Sequence, residues 1–243
     1  MEYVNQEGLR IDGRRVNELR KIQCKLGVLK RADGSALFEQ GFTRVLVAVY
    51  GPREITQRRK KLHDKAIINV EYSVATFSMT RRKKTSKRNK ISQEIANSIR
   101  KSFETVIQLE LFPSSQIDIF IQVLQADGGI IPACINASTL ALIDAGVPMT
   151  DYLCSCSCSF IDEENLLDLN HLEEDSGGAI VTVTLLPEYN KITLLRVYSA
   201  RIKMKNFETI LKLGQNGCQR IADLMKSAIK EHTINQVNSR GIL

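Results

Sequence analysis

Apolar and polar positions alternate with period two along several stretches of the chain, and each such stretch predicts a half-buried β-strand. Thr43 to Tyr50 is a β-branched run closed by Gly51-Pro52; in Ala66 to Ala75, Ile68, Val70, Tyr72 and Val74 share one face; Ile117, Ile119, Ile121 and Val123 share another. The period then changes. After Ser92, a candidate N-cap, Ile95, Ile99, Phe103 and Ile107 recur every four residues, predicting an amphipathic helix that ends at Phe112-Pro113. Pro132 to Ala145 reads as a buried helix closed by Gly146 and Pro148. The order repeats in the second half, with strands at Tyr152–Ile161, Ala179–Leu186 and Ile192–Ser199. A helix follows from about Asn206 to Lys230, with Phe207, Ile210, Leu211, Ile221, Leu224 and Met225 on one face. Gly214 and Gly217 should weaken it by about 1 kcal/mol each unless close packing requires them. The polar tail, Asn235 to Leu243, is expected to fray.

Two successive blocks of strands followed by helices predict an α+β fold with a pseudo-duplicated core of mixed β-sheets packed with helices. At 243 residues, 43% of them hydrophobic, the chain can bury one large core. It is expected to form a single domain of two closely packed halves, about 1–150 and 151–235, with no linker between them. No apolar run approaches the ~20 residues that span a bilayer, and Met1 to Asn5 lacks a secretory pattern. Of six cysteines, Cys154, Cys156 and Cys158 alternate with serines on one face of a strand, a spacing unlike Cys-x-x-Cys metal ligation. They read as small buried hydrophobes in a reducing compartment, cytosol or nucleus. His63, His171 and His232 show no nucleophile or metal pattern and read as surface residues.

The formal net charge of +7 is unevenly distributed. Arg58-Arg59-Lys60-Lys61 precedes a predicted strand, and ten residues from Arg81-Arg82 to Lys90 follow it, seven of them Lys or Arg. Such runs can be solvated loops or nuclear-import addresses. Flanking one strand, they also suit a track for a phosphate backbone. The chain has no Trp, and Phe77 alone is aromatic near the second run, so an extensive base-stacking platform is not indicated.

A set of short blocks, specific in their order and spacing, resembles the RNase PH family over nearly the whole chain. They are Gly8-Leu9-Arg10-Ile11-Asp12-Gly13-Arg14-Arg15 with Glu18-Leu19-Arg20, Gly34-Ser35-Ala36, Gly41-Phe42-Thr43, Tyr50-Gly51-Pro52-Arg53-Glu54, Leu124 to Gly129, and Ala141 to Met149. Within that family the chain looks most like exosome ring subunits of the archaeal catalytic lineage, in their eukaryotic form. The resemblance implies an RNase PH-like fold and a phosphate-binding turn at Gln125 to Ile131, followed by an acidic loop at Asp168 to Asp175.

Active relatives follow the Gly-Gly turn with a hydroxyl residue and an arginine that grip phosphate; this chain has Ile130 and Ile131 there. They also carry two aspartates six residues apart, whereas here Asp168 is followed by Glu174. Of two arginines before the first helix, Lys90 keeps one charge and Ile91 loses the other. Ser114 replaces a further arginine. On these departures the resemblance implies a catalytically inactive, structural subunit of the exosome ring, with no cofactor and no metal. It would thread single-stranded RNA toward a separate hydrolytic exoribonuclease, beside other RNase PH-like ring subunits and beneath RNA-binding cap proteins, in nucleus, nucleolus and cytoplasm. Arg58, Arg59, Lys60, Lys61, Arg81, Arg82 and Lys90 are the candidate RNA-binding residues.

The alternative is a phosphate-dependent 3′-to-5′ exoribonuclease releasing nucleoside diphosphates, with Asp168 and Glu174 holding a divalent metal. A free-standing RNA-binding module is a third reading. Blander assignments exist for the acids: Asp127-Gly128-Gly129 as a tight turn capped by its own carboxylate, Asp168 as an ordinary turn residue, and Glu173-Glu174-Asp175 as a solvated loop.

Overall fold

A computed structural model describes residues 3–5, 7–55, 63–79, 90–161, 164–198 and 202–239. The alternating stretches form strands. Those of the first half are β1 (Ile22–Leu26), β2 (Gly34–Gln40), β3 (Thr43–Glu54), β4 (Ile67–Val74) and β5 (Ser115–Gln125), in one sheet of order β1-β2-β3-β5-β4. Neighbours run antiparallel except β4, which lies parallel to β5. A parallel pair needs a crossover. Helix α1 (Lys90–Glu104) lies in that connection and buries Ile95, Ile99 and Phe103. The helix is shorter than its apolar spacing predicts: Ile107 is buried beyond its end, bridged to Met149.

The second sheet, β7-β6-β8-β9, is antiparallel throughout and comprises β6 (Cys154–Ile161), β7 (Glu164–Leu167), β8 (Ala179–Leu186) and β9 (Lys191–Tyr198). Between the sheets runs α2 (Ile130–Asp144), whose residues Pro132 to Leu142 are all buried against β2, β3 and β6. A helix buried on every side is what such a sandwiched position gives, and its polar Asn136, Ser138 and Thr139 side chains all bond internally. One continuous core joins both halves, from Val47 and Ile119 of the first sheet to Val183 of the second.

The cysteines of β6 are buried as expected, but so are the serines between them. The strand therefore has no solvent face; the Ser155 and Ser157 hydroxyls are paired internally, while the buried Ser159 hydroxyl has no partner among the described residues. Asn136 of α2 bonds both the N–H (2.8 Å) and the C=O (3.0 Å) of Ser155, and the Ser155 hydroxyl donates to Val183 O at 3.0 Å.

Helix α4 (Met204–Ser239) packs on β6 and β8. It continues helical through Ser239, where fraying was expected from Asn235; residues 240–243 lie outside the described residues. Its glycines are packing residues: a Cβ on Gly214 would lie 2.9 Å from Val183 Cγ2, and one on Gly217 would lie 2.7 Å from Leu167 Cδ1. His232 corrects another expectation. It is half-buried, with Nε2 3.4 Å from Asp144 Oδ1, whereas His171 is exposed as expected.

Candidate active site

The site assembles where β5 ends, α2 begins and the loop after β7 turns back. Gly128 and Gly129 both hold positive φ (75° and 60°), which glycine adopts without steric penalty. Their missing side chains matter as much. A Cβ on Gly128 would sit 2.6 Å from Leu169 O, and one on Gly129 would sit 2.8 Å from an Arg20 guanidinium nitrogen. The turn is therefore pressed directly against the acidic loop. Thr43, at the start of β3, ties it down: its hydroxyl donates to Gly128 O (2.7 Å) and accepts from Asp127 N–H (3.1 Å). This replaces the expected cap by the Asp127 side chain, whose carboxylate instead lies 3.9 Å from Arg20 Nη1.

Asp168 is no ordinary turn residue. It has φ 57°, is fully buried, and accepts from the Arg20 backbone N–H (2.8 Å), Nε (3.1 Å) and Nη2 (2.7 Å). Burial alone would raise its pKa, but the Arg20 charge and hydrogen bonds outweigh that and hold the carboxyl below its ordinary range. The same guanidinium reaches the turn, donating from Nη1 to Asp127 O (2.5 Å) and from Nη2 toward Gly128 O (3.4 Å). Arg20 is thus the bridge between the two halves of the site.

The acidic cluster is not a solvated loop either. Asn170 and Glu173 form a reciprocal capping box on the short helix α3 (His171–Glu174), and Glu173 is fully buried in an ion pair with Arg10. Arg10 also donates to the carbonyls of Leu167 (2.6 Å) and Asp168 (3.0 Å), and Arg14 donates to Asp168 O (3.1 Å). Glu174 turns the other way: its Oε1 accepts from the Gly129 N–H at 2.8 Å. Burial raises the Glu174 pKa, a shift only partly offset by that hydrogen bond and by Arg20. Of the three acids, only Asp175 is exposed.

Asp168, Glu174, Ile130 and Ile131 are therefore brought together around Gly129. Ile130 and Ile131, half-buried at the first turn of α2, pack against the core, and the N-cap Gly129 offers the helix no side-chain cap. What faces the site from α2 is backbone N–H at a helix N-terminus, a setting that favours anions. A divalent ion shared by Asp168 and Glu174 does not fit this arrangement, because Arg20 donors saturate both Asp168 oxygens. Arg20 and Thr43 lie within sequence blocks already quoted, yet nothing in those blocks announces their roles; the signal would have been an arginine and a hydroxyl that must each be buried.

Of the candidate RNA-binding residues, Lys90 is exposed at the first residue of α1, beside exposed Ile91. Arg58, Arg59, Lys60, Lys61, Arg81 and Arg82 lie outside the described residues. Their flanking residues are informative. Glu54, just before the first run, pairs with Ser115 at the start of β5, the end of the sheet remote from the turn. Ser78, just before the second, accepts at its carbonyl from Ala126 N–H (3.0 Å), immediately beside Asp127.

The chain matches the 3′ exoribonuclease family model, domain 1, over residues 18–148, and domain 2 of the same family over 151–217. It is 50% identical over 234 residues to the exosome complex component RRP41 homolog of Arabidopsis thaliana, covering 96% of each chain. To exosome complex component Rrp41 of Thermococcus gammatolerans it is 44% identical over 231 residues, 95% of this chain and 92% of that one. Among solved structures, rice Rrp46 superimposes with a TM-score of 0.81 at 26% identity, covering 91% of this chain and 100% of that one. The expectation of a catalytically inactive protein, founded on Ile130 and Ile131, is overturned by this placement: both halves match domains of an exoribonuclease family, and the likeness extends to archaeal Rrp41 over nearly the full length. The chain belongs to the 3′ exoribonuclease family.

Proposed function

We propose that the chain is a ring subunit of an exosome-type assembly and acts there in phosphate-dependent 3′-to-5′ degradation of RNA. The observation that supports this most is near-full-length likeness to Rrp41 proteins of both plant and archaeal origin, joined to a Gly-Gly turn packed directly on a buried acidic loop. In phosphorolysis a phosphate oxygen attacks the terminal phosphodiester phosphorus. The bond to the preceding ribose 3′ oxygen breaks, giving a nucleoside diphosphate and an RNA shortened by one residue. The backbone N–H groups at the N-terminus of α2 are suited to hold the phosphate, since Ile130 and Ile131 offer no side-chain donors. Glu174, whose carboxyl is biased toward its protonated form, is suited to give a proton to the departing 3′ oxygen. Lys90 and the basic segments flanking β4 would attract the RNA backbone without reading sequence.

Other RNase PH-like subunits and single-stranded RNA are the partners this reading requires. Cap proteins and a hydrolytic nuclease would complete the assembly. The six cysteines, all free thiols, fit a reducing compartment such as nucleus, nucleolus or cytoplasm.

The test is nucleoside diphosphate release from single-stranded RNA by the chain assembled with its ring neighbours, with and without inorganic phosphate. Release that depends on phosphate and is lost in Glu174→Gln is expected. No release above background from the assembled ring would overturn the reading.

A further inference from the structure

The turn between Asp127 and Gly129 is gripped from two opposite sides. On one side Arg20 and Thr43 bind its carbonyls: Nη1 to Asp127 O at 2.5 Å, Nη2 toward Gly128 O at 3.4 Å, and the Thr43 hydroxyl to Gly128 O at 2.7 Å. On the other, the Gly129 N–H points away to Glu174. In a planar peptide the C=O and N–H are antiparallel, so fixing Gly128 O dictates where Gly129 N–H points. Both gripping residues are buried, Thr43 completely. Arg20 is also fixed by its fork on Asp168 and by close contact with Gly41, where a Cβ would fall 2.6 Å from its Cδ.

We infer that Arg20 and Thr43 are positioning residues for the proposed reaction: by clamping the Asp127 and Gly128 carbonyls they aim the Gly129 N–H at Glu174, and so hold that carboxyl, the proposed proton donor, beside the start of α2 where phosphate must sit. Neither would touch substrate. The inference rests on the function proposed above and matters more here than where side chains grip phosphate, because with Ile130 and Ile131 the orientation of backbone donors is what α2 contributes. Lysine at position 20 keeps the charge opposite Asp168 but is a single point donor, which cannot span a carboxylate and two carbonyls as a guanidinium fork does.

Two measurements on the assembled ring test this: the Michaelis constant for phosphate against kcat and RNA affinity, and hydrogen exchange at the Gly129 amide, a group whose own bond goes to neither residue. Arg20→Lys should raise KM for phosphate about tenfold or more, as a small misplacement of donors does, leave RNA affinity unchanged and speed Gly129 exchange. Thr43→Val, which removes only the hydroxyl, should act in the same direction more weakly, and Thr43→Ser should restore the parent values. Unchanged Gly129 exchange in Thr43→Val, failure of Thr43→Ser to restore it, or an unaltered phosphate KM in an active ring would overturn the inference. Should Arg20→Lys not assemble, the two Thr43 variants decide. A parent ring that releases no nucleoside diphosphate would refute the function proposed above, and Gly129 exchange alone would then judge the positioning.

Discussion

Two segments far apart in sequence close on the same residue, Leu167, by opposite physics. The N-terminal segment does so with charge: Arg10 donates to Leu167 O and pairs with Glu173, while Leu167 N–H donates to Val16 O at 3.0 Å. Helix α4 does so with the absence of a side chain, since Gly217 lets the Leu167 methyl groups lie directly on the helix. A buried ion pair is specific in direction and unforgiving when halved. An apolar contact is indifferent to direction but unforgiving of volume. Together they fix both the orientation and the depth of the loop that carries Asp168.

Breaking the polar clasp should have the largest effect. Arg10→Ala leaves Glu173 buried without its counter-charge, which typically costs about 3–5 kcal/mol, whereas adding Glu173→Gln, which removes the stranded charge and keeps the acceptor for the Asn170 N–H, should recover part of the loss. Denaturant unfolding of both variants checks this, and a double variant as unstable as the single one would contradict it. Breaking the apolar clasp should come next. In an open helix Gly→Ala gains about 1 kcal/mol, but Gly217→Ala forces a methyl against Leu167 and should lose about 1–3 kcal/mol instead. The sign of the change in unfolding midpoint distinguishes the two.

The smallest effect separates the acids by pH. Asp168 has a folded pKa below its ordinary value of 3.8, so its stabilisation is present above that value and disappears as pH falls through the folded one. Glu174 has a folded pKa above 4.5, so its contribution is fully present below that value and is lost as pH rises through the folded one. Stability should therefore improve slightly on mild acidification and then drop. Glu174→Gln should remove the rise and Asp168→Asn the drop, measured as thermal midpoint against pH.

The same contrast explains what could be read from the chain alone. Strands β3, β4, β5 and β9 and helices α1 and α4 were legible because each presents a regular face to a neighbour, whereas β6, β8 and α2, buried on nearly every side, were legible from their alternation or apolar content instead. Strand β2 escaped notice: Gly34, Ser35 and Ala36 are small because α2 lies on them, and a Cβ on Gly34 would run into Ala141 O. Strand β1 is short, and β7 is a four-residue edge. The positions around Gly129 were legible as a group through the family resemblance. Their environment was not, since Glu173 and Asp168 are neutralised by arginines 163 and 148 residues upstream. An acidic cluster looks solvated whenever its counter-charges are that remote. The inactivity expected from Ile130 and Ile131 discounted the backbone N–H groups at the start of the helix as too small a remnant to hold phosphate, and it is the family placement that overturns it.

The distribution of thiols gives the protein an internal gauge of its own opening. Cys24 in β1 is half-buried, whereas Cys134 in α2, Cys154, Cys156 and Cys158 in β6, and Cys218 in α4 are sealed inside. Burial pushes the Cys24 thiol up to about 11 and the Cys154 thiol up to about 12, so little reactive thiolate forms in the folded state. A thiol-specific dye would meet Cys24 first and the other five only as fast as the surrounding elements open. Its slow phases would time the separation of α2 and α4 from the strand they share, with no label introduced.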